Sequence, residues 1–170
     1  MLHWSVRKIE GGYTQSETAV IVLIIGILAA IATPNFSVWL RQRQVDAAFN
    51  QIAAAVEETQ NESIKRSTSC RLQIPVTGPS PTFTGTCLLT GPFTFDDHMV
   101  LDHTRRPSNW SISFNANGEN RSPNEAGTLW LKDSENDTIR SKCLVISVGI
   151  GLRRTGERVN GTCLSPSSGE

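Results

Sequence analysis

The chain has 170 residues, room for one domain of ordinary size with an appendage but not for two full domains. Lys plus Arg and Asp plus Glu number 16 each, which excludes both a nucleic-acid binder working through bulk charge and an acidic solvating tail. With no internal repeat and no long low-complexity tract, the composition is that of a chain that folds.

Residues 1–12 carry two cations, Arg7 and Lys8, and end in Gly11-Gly12. After Tyr13 and a lone acid, Glu17, residues 18–40 run without a charge. As a helix this run spans roughly 35 Å, enough to cross a hydrocarbon core of about 30 Å. Three readings compete. A buried core helix is poorly served by a single small domain, which rarely hides a helix apolar all round. A secretory signal peptide would use Arg7 and Lys8, an apolar stretch over residues 19–28 and a small-residue cleavage site at Ala30-Ile31-Ala32. A membrane-spanning helix fits the length and accounts for the helical pattern that continues beyond Leu40.

That pattern is amphipathic. Val45, Phe49, Ile52 and Val56 recur at helical spacing, with Ala48, Ala55 and Thr59 on the same stripe, while Arg43, Asp46, Gln51, Glu57, Glu58 and Glu62 occupy the other side. It predicts one face for packing and one for water. Pro34 predicts a bend or local opening, and Gly26 a closely packable surface.

The front of the chain resembles the class III signal of type IV pilins and pseudopilins. The matching residues are Gly12, Tyr13, Thr14 and Glu17, followed by IIGILAAIATPNF over residues 24–36. The resemblance implies a leader of residues 1–12, cut after Gly12 by a prepilin peptidase, and N-methylation of Tyr13. It implies that Glu17 serves assembly by meeting the amino terminus of a neighbouring subunit. An unpaired carboxylate in hydrocarbon costs several kcal/mol, which gives such a contact its force. The first turn is unusually polar for the family: Tyr13 stands where Phe is commoner, and Gln15, Ser16 and Thr18 where large aliphatics are frequent.

Beyond about Ser67 short β-favouring runs alternate with turn residues. CRLQIPV from Cys70 reads as a strand, and TGPSPTFTG, with two prolines, as a loop. NWSISF from Asn109 alternates, with Trp110, Ile112 and Phe114 on one face, and Asn117-Gly118 is a strong turn dipeptide. GTLWL from Gly127 and CLVISV from Cys143 are further strands. The fold class expected is α+β: a long helix (residues 13–40 for membrane or filament core, 41–69 amphipathic) on an antiparallel β-rich head of residues 70–170.

Cys70, Cys87, Cys143 and Cys163 are even in number and expected outside the cytoplasm, so disulfides are the default. Three pairings exist; spacing favours Cys70 with Cys87 and Cys143 with Cys163. No CxxC pair supports zinc. Asp96, Asp97, His98, Asp102 and His103 contain two Asp-His pairs, but their spacing suits neither a helical nor a clear strand ligand set, and a polar loop flanking a short strand over residues 99–101 is the expectation. There is no GxSxG elbow, and Gly149-Ile150-Gly151 lacks the third glycine of a dinucleotide site and reads as a turn. No catalysis and no cofactor are expected.

The head carries a second resemblance, to the GspH/FimT group of minor pilins and pseudopilins, through FNANG from Phe114, GTLWL from Gly127 and LVISVGIGLRRTG over residues 144–156. The family's closing Gly-Arg-x-Arg departs here: Gly151 and Arg154 match, Leu152 holds the first Arg position, and Arg153 is shifted by one. In some relatives that tip is implicated in DNA binding during transformation. Arg153, Arg154 and Arg158 are the candidates for such a basic loop, with Arg105 and Arg106 as further cations, although no interleaved aromatics accompany them. The expectation is therefore a structural subunit of a type IV pilus or type II secretion filament. Its partners would be other pilin subunits, the prepilin peptidase, an inner-membrane assembly platform and the membrane. It would be single-pass in the inner membrane with a periplasmic head, then part of an extracellular pilus or periplasmic pseudopilus. A DNA-uptake adaptor and a secreted soluble β domain are the alternatives.

Overall fold

Helix α1 opens on a polar capping residue and runs Gln15–Lys65, continuing past Pro34. The computed structural model describes residues 12, 14–75, 78–105 and 109–164, with the side chains of residues 31–35 outside the description. Pro34 and the bend expected there fall among those five residues. The chain divides into two units, Met1–Ser37 and Val38–Glu170.

In the second unit α1 ends as helices commonly do. Ser67 takes a left-handed φ of 49°, the Thr68 amide donates to the Ser63 carbonyl at 3.1 Å, and Lys65 lies in the last turn against the negative end of the helix dipole. The expected stripe is the packed one: Val45, Ala48, Phe49, Ile52, Ala55, Val56 and Thr59 are all buried. Glu62, placed on the water face by its periodicity, is buried instead. Lys65 Nζ at 3.0 Å and Arg66 Nε at 2.9 Å supply the charge that makes this tolerable.

Among the described residues, ten strands and a short 3-10 turn, Pro123–Glu125, follow: β1 (Cys70–Ile74), β2 (Gly78–Pro79), β3 (Thr82–Gly85), β4 (Phe93–Thr94), β5 (Met99–His103), β6 (Trp110–Phe114), β7 (Gly127–Asp133), β8 (Lys142–Ile146), β9 (Arg153–Val159) and β10 (Thr162–Leu164). All their pairings are antiparallel. They form a four-stranded sheet, β4-β3-β1-β6, and a six-stranded sheet, β10-β9-β8-β7-β5-β2. The stretch expected as a loop around Pro79 and Pro81 therefore contains β2 and β3. Proline is admitted because β2 is a two-residue edge strand, where its missing N–H has no ladder to break.

Alternation decides what faces the helix. Leu72 and Ile74 of β1, Trp110, Ile112 and Phe114 of β6, Met99 and Leu101 of β5, Leu129 and Leu131 of β7, and Leu144 and Ile146 of β8 join the α1 stripe in one core. The structure holds both disulfides that spacing favoured, Cys70–Cys87 and Cys143–Cys163, with Cα–Cα separations of 5.6 and 5.8 Å. The free edge of β6 is closed by Glu125, which accepts from the Ser113 amide at 2.7 Å and denies that edge to another strand.

Three polar side chains of α1 pin loops of the head. Gln42 mimics a backbone amide: its Oε1 accepts from Arg140 N at 2.8 Å and its Nε2 donates to Arg140 O at 3.4 Å. Glu58 accepts from Leu89 N at 2.5 Å. Gln60 Nε2 donates to Gly118 O at 2.8 Å and Ile150 O at 3.3 Å. Gly118 and Gly151, at φ of 74° and 71°, let the backbone come that close. A Cβ on Gly151 would stand 2.8 Å from Gln60 Nε2 and 3.0 Å from the Phe114 ring.

Candidate assembly site

The start of α1 is a capping box. Thr14 is the capping residue: its Oγ1 accepts from Glu17 N at 3.3 Å, and Glu17 Oε2 accepts in return from Thr14 N and Thr14 Oγ1, both at 2.9 Å. Thr14-Gln15-Ser16-Glu17 is the sequence signature of such a box, a use of Glu17 that its implied role in assembly overshadows. Glu17 is exposed, and its second oxygen, Oε1, has no partner among the described residues. The box thus fixes the carboxylate's position while leaving one oxygen able to accept from an outside donor. Gly12 is exposed and lies outside the helix; Tyr13, the candidate for cleavage and methylation, lies outside the described residues.

Behind the box the helix is apolar on every side and uncovered. Val20, Ile21, Val22, Leu23, Ile24, Ile25, Ile27 and Leu28 are each between 45% and 64% exposed. Among the described residues no helix is long and apolar enough to cross a membrane. The uncharged run of residues 18–40 passes through residues 31–35, which lie outside that description.

The basic residues expected at a loop tip sit on β9. The pleat separates them. Arg153 faces the helix, where Nη2 lies 3.1 Å from Glu57 and Nη1 donates to Ala53 O at 3.3 Å. Arg158 lies on the opposite face, its Cζ 4.6 Å from the centre of the Trp130 ring, and Arg154 is exposed on that same face. Arg105 is drawn away, donating to Ala126 O at 2.9 Å; Arg106 is outside the described residues. The three arginines do not converge on one phosphate-sized spot.

The Asp-His cluster is split by the same alternation. β5 extends beyond residues 99–101 to include Asp102 and His103; His103 is buried with its ring 5.7 Å from Trp110, and Asp102 faces the other way. Among the described residues no group of three or more His, Cys, Asp or Glu is arranged to hold a metal. Gly149-Ile150-Gly151 lies in the connection between β8 and β9, as a turn should, with Gly149 bridged to Asn120.

No protein-family model and no curated protein matches this chain. Among solved structures it is similar to the type IV minor pilin FimU of Pseudomonas aeruginosa, with 14% identity, 76% of this chain and 98% of that chain covered, and a TM-score of 0.48. A likeness of that size carries no argument about function.

Proposed function

We propose that this chain is a structural subunit, a minor pilin or pseudopilin, of a type IV pilus or type II secretion filament. It would be released from its leader by prepilin peptidase after Gly12, methylated at Tyr13, held in the inner membrane by its first helical half and then packed through that half into a filament. The observation that carries the reading is the uncovered helix of residues 20–28. Eight large aliphatics around a whole helix circumference demand an apolar environment, at about 25 cal/mol per Å² left in water. Lipid before assembly and neighbouring helices after it both supply one.

Glu17 gives the assembly step its register. An incoming subunit whose amine reaches Oε1 exchanges a water-bound or lipid-stranded carboxylate for a charge-assisted hydrogen bond, and any other depth leaves the charge unpaired. The test compares Glu17→Ala with Glu17→Gln in the producing cell. Both variants are expected at wild-type level in the membrane fraction, with leader removed, and depleted from sheared filaments. Incorporation of both at wild-type level would overturn the role. No observation favours the DNA-adaptor reading, since Arg153 is held by Glu57 and only Arg154 and Arg158 remain on the outer face.

A further inference from the structure

The uncharged run ends at Leu40, and the first charges after it are Arg41 and Arg43. They are used differently. Arg41 Nη1 lies 2.6 Å from Glu135 and 3.6 Å from the buried Asp133, and so belongs to the head. Arg43 makes no ion pair among the described residues; its Cζ stands 5.4 Å from the centre of the Trp39 ring, and Trp39 is 51% exposed.

Arg43 also lines an open cleft of 340 Å³ with Asp46, Phe49, Lys142 and Glu157. Lys142 Nζ bridges the two carboxylates, 3.0 Å from Glu157 and 3.5 Å from Asp46, and Arg140 reaches Glu157 at 3.2 Å. Of the two cations lining the cleft, Lys142 takes both carboxylates and Arg43 pairs with neither.

We propose that Trp39, Arg43 and this cleft seat the phosphodiester of an anionic phospholipid at the level where the helix leaves the bilayer. The inference rests on the membrane reading above. A half-exposed tryptophan ring is stable at the headgroup boundary, between acyl chains and water. A guanidinium matches phosphate oxygens in a two-pronged geometry that an ammonium lacks. Arg43 lies three residues beyond Leu40, about 4.5 Å along a helix axis, which is headgroup rather than hydrocarbon depth. Lipid is favoured over free phosphate because Trp39 offers an apolar ring beside the cation.

The test places the full chain in vesicles of phosphatidylcholine, with and without phosphatidylglycerol, containing phospholipids brominated either near the headgroup or deep in the acyl chain. Fluorescence of the wild type minus that of Trp39→Phe isolates the Trp39 signal from the other three tryptophans. Shallow bromines are expected to quench it more than deep ones. Arg43→Gln is expected to weaken the preference for phosphatidylglycerol about fivefold, the loss for one arginine at an anionic surface. A chain that resists alkaline carbonate extraction but shows an unquenched Trp39, or a lipid preference untouched by Arg43→Gln, overturns the inference alone. A chain that carbonate releases overturns the membrane reading and this inference with it.

Discussion

Glu62 shows how one carboxylate can sit against its sequence pattern. Hydrogen bonds from Lys65 and then Arg66 hold its carboxyl below the ordinary value of 4.5, overriding the opposing effect of burial. A folded-state value below the unfolded one means the stabilisation is complete above 4.5 and is lost as pH falls through the folded value. Urea unfolding of Glu62→Gln should therefore show a deficit against wild type at neutral pH that shrinks under acid conditions; a deficit independent of pH would exclude this origin. At Gly151 the constraint is conformational, a positive φ with Gln60 and Phe114 in contact range. Gly151→Ala should lose about 1–2 kcal/mol or more of stability, read from the same unfolding curves.

At the scale of elements the α1 stripe and the disulfides make quantitative claims. Ile52 is fully buried and Gln51, next to it, is exposed. Ile52→Ala should destabilise by roughly 2–5 kcal/mol, and Gln51→Ala by less than about 0.5 kcal/mol; equal effects would mean the helix does not dock by this face. The disulfides close loops of sequence separation 17 and 20. Replacing either pair by serine should lower stability by roughly 3 kcal/mol, measured by thermal unfolding.

The elements differ in how legible they are in the sequence, for physical reasons. Val45 to Thr59 and the strands around Leu72, Ile112, Leu129 and Leu144 are legible because burial on one side imposes a period, 3.6 or 2, on the sequence. β2 is not, because an edge strand has no partner on one side and tolerates the prolines that signal a loop elsewhere; β3, paired on both sides with β1 and β4, is hidden by its four-residue length and by Pro79 and Pro81 just before it. Arg153, Arg154 and Arg158 read as one basic cluster in sequence, yet a strand sends neighbours to opposite faces and the helix carboxylate at Glu57 claims one of them. Gln42, Glu58 and Gln60 do not stand out at all. Their partners are backbone atoms of Arg140, Leu89, Gly118 and Ile150, which carry no side-chain signature.

Across the whole molecule, two units place contrasting demands on their surroundings. Residues 38–170 bury a core between helix and sheets, pin three loops to the helix and close an exposed sheet edge with Glu125. The described part of residues 15–37 shows a capped helix start, a carboxylate with one oxygen to spare, and uncovered aliphatics over residues 20–28. Uncovered aliphatics of that kind favour an apolar environment. In the proposed filament, neighbouring subunits would supply those surroundings, and the Thr14–Glu17 box would hold the carboxylate at a fixed height for the next subunit.

The most direct test is mass spectrometry of the N-terminal peptide, taken separately from the membrane fraction and from sheared filaments of the producing cell. A chain beginning at N-methylated Tyr13 in both fractions is the result expected of a processed pilus subunit. A chain beginning at Thr33 in the soluble fraction would contradict it, because the helix that carries Glu17 and the uncovered aliphatics would then be no part of the mature protein.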